Sequence, residues 1–213
     1  MKFQLRHWLT WKENKSREFT VKTAYQVALR LSHLQSGEHS SASQDQRLWK
    51  KLWSLNVPPK FRTFMWRACC NVLPTKSNLA RRKVQIDAKC SICGQQDETT
   101  QQILWECPFP RNVWALAWGK LQKSSFVTKK FFMLARCMVH RLGGKDLEMW
   151  AITSWSLWNA WNRFHFKHVQ THPCEIFKQA NSLLEEYQRL AKSLPQRWYL
   201  RLRCSHAWFC FFL

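Results

Sequence analysis

The sequence predicts a mainly α fold, with a short N-terminal β-hairpin, a helical domain around an embedded cysteine knuckle, and a helical extension after it. Three observations predict this. Glycine and proline are scarce, at 5 and 7 of 213 residues, which argues against a turn-rich β architecture. Apolar residues recur at helical steps of three and four in successive segments, while strand-like alternation shows at 7–25. Finally, Cys90-Ser91-Ile92-Cys93-Gly94 sets two thiols at a spacing that can bring both sulfurs onto one metal ion, with a glycine to turn the backbone beneath them. The hydrophobic fraction of 46% is enough for a packed core.

The elements follow in order. Trp8-Leu9-Thr10-Trp11 and Glu18-Phe19-Thr20-Val21 suit two strands, and the polar residues between them suit a turn. Thr20 or Lys22 then opens a helix carrying Ala24, Tyr25, Ala28, Leu29 and Leu31 on one face, completing an N-terminal unit over 1–34. Residues 35–47, rich in Ser, Gln and His, read as a flexible loop. Leu48, Trp49, Leu52 and Trp53 form the stripe of a short helix that stops before Pro58-Pro59. Pro59 suits the first turn of the next helix, which carries Phe61, Phe64, Met65 and Ala68 inward and leaves Arg62 and Arg67 on its surface. Thr75 is placed to cap a short helix reaching Arg82. Beyond the thiol pair come a helix over about 99–105 and another over 110–121, with Val113, Trp114 and Ala117 inward.

Three helices complete the ordered chain. One, over 128–142, buries Phe131, Leu134, Ala135 and Met138 and ends at Gly143-Gly144. The next is capped by Asp146 and carries Trp155, Trp158, Trp161 and Phe164 at steps of three. The last is capped by Thr171 and has a stripe of Ile176, Phe177, Ala180, Leu184 and Tyr187. The domain is expected over 48–122, the extension over 123–194, and the tail 195–213 has neither caps nor a period.

Charge and cysteine usage bound the function. Lys and Arg number 34 against 13 Asp and Glu, a net charge of +21, which would strain a compact fold unless anions relieve it. With 14 Trp and 14 Phe beside that charge, RNA or DNA is the expected partner. The basic candidates near the thiols are Lys60, Arg62, Arg67, Lys76, Arg81, Arg82, Lys83 and Lys89, with Arg81-Arg82-Lys83 the densest run. The plainer reading of these residues is a solvated basic face. Trp49, Trp53, Trp66 and Trp114, at helical steps, read as core rather than as stacking platforms. The N-terminus is polar and charged, the 9 cysteines are odd in number, and an intracellular, reducing compartment (the nucleus being one candidate) is expected. No window reaches the roughly 18 apolar residues of a membrane span, and 149–162 reads as a buried helix. No phosphate-binding glycine loop or nucleophile elbow is present, and the carboxylates are few and scattered, with Glu185-Glu186 on a charged helix face, so neither an enzyme nor a small-molecule substrate is expected.

A tetrahedral zinc site wants four ligands. Cys90, Cys93 and Cys107 supply three, and the best-placed residue for the fourth is Gln102, whose amide is a poor zinc ligand. Glu98 or Glu106 could fill the corner instead. His206 beside Cys204 and Cys210, and the series His165, His168 and His172, lack the partners of a second site.

An ordered set of motifs runs through these elements. It comprises Leu48-Trp49-Lys50-Lys51-Leu52-Trp53, Val57-Pro58-Pro59-Lys60, Phe64 with Trp66-Arg67-Ala68, Leu73-Pro74-Thr75, Asn78-Leu79 with Arg81-Arg82, Cys90 and Cys93-Gly94, Glu98-Thr99, Cys107, and Val113-Trp114. The set resembles the zinc-binding domain that follows the reverse transcriptase in plant non-LTR (LINE-type) retrotransposons, over roughly 8–118. The resemblance implies a structural zinc site whose histidine position is Gln102, hence weak zinc binding. It also implies a non-catalytic role in nucleic-acid binding beside the reverse transcriptase domain of a parent element. Residues after the domain resemble the linker before an RNase H-like domain, with Trp161 in the place of an arginine, followed by Asn162 and Phe164. The carboxylates of the RNase H-like domain are not found after Pro195. Together these departures imply a decaying fragment of an element. The alternatives are a scaffold that packs on a reverse transcriptase, or a domesticated host protein.

Overall fold

In a computed structural model of the chain, the described residues are 39–117, 128 and 130–193. The chain divides into two compact units, Met1–Gln44 and Asp45–Leu213, and every described element except the start of the first helix lies in the second. The expected hairpin at 7–25, the helix after it, and the tail 195–213 lie outside the described residues.

The described residues are mainly helical: α1 (His39–Trp53), α2 (Pro59–Cys69), α3 (Lys76–Arg81), a π-helical turn (Gln102–Glu106), α4 (Pro108–Ala115), α5 (Phe131–Arg141), α6 (Gly144–Lys167) and α7 (Pro173–Ser193). Among them the β-type pairing is a single isolated antiparallel bridge, Lys89 with Asp97. The long helix α6 is the axis: α2, α7 and the π-helical turn pack on it, while α5 lies against α2 and α4 against α7. No helix among the described residues is long and apolar enough to cross a membrane.

The periodicity predicts the buried faces of α2, α5 and part of α7, whereas in α6 the expected series Trp155, Trp158, Trp161 and Phe164 is buried only at Trp161. Phe61, Phe64, Met65 and Ala68 of α2 are buried, as are Phe131, Leu134, Ala135 and Met138 of α5. In α7, Ile176, Ala180 and Leu184 are buried, whereas Phe177 and Tyr187 stay half-buried. They join one continuous core with Trp105, Trp114 and Trp150 at its centre. Trp114 packs on Trp105 with ring centroids 5.4 Å apart, and its indole N–H donates to the Leu104 carbonyl at 2.9 Å, so the buried donor is satisfied. Phe131 stacks on Trp150 at 5.7 Å, joining α5 to α6.

Several expectations are corrected. The stretch 35–47, expected as a flexible loop, is helical from His39, because Leu48 and Leu52 anchor the helix and propagation from a formed turn is far cheaper than nucleation. Arg62, expected on the surface, is 4% exposed and donates to the Trp53 carbonyl at 3.0 Å. A guanidinium can be buried there because it satisfies a free carbonyl at the end of α1. Helix α6 begins at Gly144 rather than after Asp146, which lies in its first turn. At the head of α7, His172 rather than Thr171 makes the capping contact, its Nδ1 accepting the Cys174 N–H at 3.3 Å.

Candidate metal centre and its basic surroundings

The knuckle is built by local hydrogen bonds. Cys90 N–H donates to the Gln96 carbonyl and Glu98 N–H to the Ala88 carbonyl, pairing the two arms of a tight loop. At its tip Gly94 has φ +65° and its N–H returns to the Cys90 carbonyl at 2.9 Å. Only glycine adopts that backbone region without cost, which is why it follows the second thiol.

The third thiol arrives from the other side through the π-helical turn. There the Cys107 N–H bonds the Gln102 carbonyl at 2.8 Å, five residues back. The wider turn inserts one residue relative to an α-helix and so resets which side chains face the knuckle. As a result Cys90, Cys93 and Cys107 place their sulfurs within 4.8 Å of one another. Gln102 is 2% exposed and its Nε2 donates to Cys93 Sγ at 3.2 Å, while its Oε1 is buried without a hydrogen-bond partner. Within the thiol group, Cys107 donates a hydrogen bond to Cys90, which holds the Cys90 thiol well below its ordinary value and raises that of Cys107.

This donor set fits zinc on three corners. Thiolates around a tetrahedral zinc lie roughly 3.8 Å apart, so the triangle closes with shifts of about 1 Å or less. The fourth corner holds an amide. Among the described residues no carboxylate joins the three thiols in the group within 4.8 Å, and Glu98 Oε2 is buried without a hydrogen-bond partner. Glu98 is fully buried and uses its Oε1 to accept the Lys76 N–H at 2.9 Å, so it caps α3 and ties that helix to the knuckle. Glu106 accepts from Gln101 at 3.3 Å. Burial pushes the Glu98 carboxyl up to about 7, and the backbone and ammonium of Lys76 only partly offset this.

The sequence-predicted basic residues surround the knuckle unevenly. Arg81, Arg82 and Lys83 are all exposed at the end of α3. Lys89 is exposed but ion-paired with Asp97 at 3.1 Å. Lys76 Nζ donates to the Lys89 carbonyl at 2.8 Å. Lys60 and Arg67 are exposed on α2, away from the thiols in sequence, and Lys60 Nζ lies 4.3 Å from the centroid of the Trp155 ring. The histidines lie elsewhere: His165 stacks on Trp161, and His168 closes α6 in the left-handed region. Cys69 is buried, which raises its thiol, and Cys70 is exposed. His206 lies outside the described residues.

Sequence reasoning missed the role of Glu98 and the polar network behind α3. Buried Asn78 donates to the Asn71 carbonyl at 2.9 Å and the Leu73 carbonyl at 2.8 Å, and the Thr100 hydroxyl donates to Asn71 Oδ1 at 3.0 Å. A polar residue in a short capped helix was the available signal, but its partners lie on other segments.

Fold and site together define a small helical domain stapled by a cysteine knuckle of metal-binding type. Residues 19–114 match the family described as zinc-binding in reverse transcriptase, so the resemblance carried by the motifs holds over that segment, just under half of the chain. The chain is also 24% identical over 154 residues to a candidate ribonuclease H protein of Arabidopsis thaliana, an alignment covering 72% of this chain and 24% of that relative. It thus spans about a quarter of the relative's length. No solved structure matches the chain.

Proposed function

We propose that this chain is a non-catalytic remnant of a retrotransposon polyprotein, whose zinc-binding domain grips RNA or DNA alongside a reverse transcriptase. The observation that carries the reading is the preformed thiol triangle, with sulfurs within 4.8 Å, together with the exposed run Arg81, Arg82 and Lys83 at the end of α3, the helix that Glu98 ties to the knuckle. Cys90, Cys93 and Cys107 would hold zinc, with Gln102 at the corner of the expected histidine. Zinc there supplies a structural cross-link between the loop and the π-helical turn.

The chain's own residues do the rest. Glu98 fixes α3 to the knuckle through the Lys76 N–H, which sets the direction in which the basic run leaves the helix. Arg81, Arg82 and Lys83 then offer charge to phosphates with little sequence preference. Lys60 and Arg67 extend the basic surface, and Lys89 contributes least because Asp97 already neutralises it.

Gel shifts of the full chain on RNA and DNA across a salt series test the proposal. Affinity is expected to fall steeply with salt, and charge reversal at 81–83 to flatten the log–log slope by about 2–3. An unchanged slope removes the run from the interface. Loss of all nucleic-acid binding, with binding to a polymerase domain retained, moves the reading to a protein-interaction scaffold.

A further inference from the structure

A groove of about 580 Å³ lies between α2 and α6. Trp155 and Trp158 of α6 and Phe64 of α2 form its aromatic wall, with Lys60 and Arg67 contributed by α2 and Asn159 and Asn162 by α6. Both charged side chains that line it are cations, and no carboxylate joins them among the described residues. We infer that this groove is a binding site for single-stranded nucleic acid, in which a base packs against the aromatic wall of Trp155 and Trp158 while Lys60 and Arg67 hold the flanking phosphates.

Three features support that occupant. Trp158 is half-buried and already held, stacked on Trp161 at 5.2 Å with 16° between the planes and packed against Phe64 at 6.4 Å. A ring fixed in this way loses little freedom when a base packs against its exposed part. Lys60 Nζ lies 4.3 Å from the Trp155 centroid and 5.0 Å from that of Phe61, so a cation is stationed at the aromatic wall where a backbone phosphate would pass. The amides of Asn159 and Asn162 carry both donors and acceptors, which suits the edges of an unpaired base. A duplex presents neither an unstacked base face nor those edges to a groove of this kind.

The inference rests on the nucleic-acid reading above but does not follow from the family match. Helix α6, which supplies both tryptophans and both asparagines, lies beyond the matched residues 19–114. The groove is therefore made jointly by the matched segment and the extension.

The test uses the full chain with an oligo(dT) or oligo(U), a blunt duplex of equal length, and polyglutamate as a polyanion without bases. Single strands are expected to bind on the order of tenfold or more tightly than the duplex or polyglutamate. Trp158→Leu, which keeps apolar bulk, is expected to remove about tenfold of the single-strand affinity and leave duplex affinity within about twofold. Asn162→Asp, which places a negative charge at the groove without touching the core stack, should act in the same direction should the leucine variant fold poorly. A 5-iodouracil oligonucleotide should photocross-link to Trp158 or Trp155. Equal binding of single strand, duplex and polyglutamate, or cross-links confined to 81–83, overturns the groove while leaving the nucleic-acid reading standing. No binding of any nucleic acid overturns both.

Discussion

Gln102 and Glu98 decide most of the chemistry near the knuckle, and each does so through one buried atom. Gln102 donates its amide to Cys93 and leaves its buried Oε1 unpartnered, so the corner is filled by an amide, a poor zinc ligand. Gln102→His is expected to tighten zinc binding by on the order of tenfold or more, measured by competition with a chromophoric chelator. No gain would place the fourth ligand elsewhere. Glu98 has a carboxyl raised from 4.5 to about 7 by burial. Because the folded value lies above the unfolded one, its contribution to stability is complete below about pH 4.5 and is lost as pH rises through about 7. The change amounts to about 3 kcal/mol at most. Glu98→Gln keeps an acceptor for the Lys76 N–H, so it should flatten denaturant-measured stability over that window and stabilise the chain at pH 8. The positions of the three cysteines and of Gln102 were legible in the sequence, since spacing and motif order locate them. The Glu98 contact was not, because nothing local marks a glutamate as the cap of a helix 22 residues earlier.

At the scale of elements, helix ends matter more than helix interiors. Helix α3 starts at Thr75, whose hydroxyl accepts the Asn78 N–H at 3.3 Å, as its residue type predicts. It ends in a Schellman turn: the Lys83 N–H bonds the Ala80 carbonyl at 2.8 Å and the Val84 N–H bonds the Leu79 carbonyl at 3.1 Å. The left-handed residue of that turn is Lys83, with φ +65°, where glycine is favoured. Lys83→Gly should therefore stabilise the chain by about 1 kcal/mol in thermal or denaturant unfolding, while removing one charge from the proposed phosphate-binding run. Helix α2 ends in the same way, with Asn71 at φ +54°, a residue that tolerates this region. Arg62→Ala would leave the Trp53 carbonyl without its donor and should cost about 2–3 kcal/mol, read by the same unfolding curves. Helix existence and the buried faces of α2 and α5 were readable from period, whereas the buried face of α6 was not. The π-helical turn was not, because one inserted residue leaves the apolar pattern of 99–105 almost unchanged.

Across the whole molecule, the core must hold together against a net charge of +21. Screening should help it: moving from about 0.05 M to 0.5 M NaCl is expected to raise the melting temperature while weakening nucleic-acid binding, opposite signs from one cause. Chelation should lower the melting temperature of Gln102→His more than that of the parent chain, since the added ligand increases the share of stability carried by metal. Glu148 shows how distant segments are joined, accepting the Asn56 N–H at 2.9 Å through one oxygen and the Gln188 amide at 2.8 Å through the other. The sequence by itself determined the helical class, the faces that pack in α2 and α5, the thiol triad and the resemblance of the 19–114 segment, because these rest on period, spacing and ordered motifs within short stretches. Tertiary structure alone decided that Arg62 is buried, that Glu98 caps α3, that the π-helical turn delivers Cys107 to the knuckle, and that α2 and α6 enclose an aromatic, cationic groove. Each of these depends on which atoms meet across segments far apart in the chain, and the physics of burial and hydrogen bonding acts on those meetings rather than on sequence spacing.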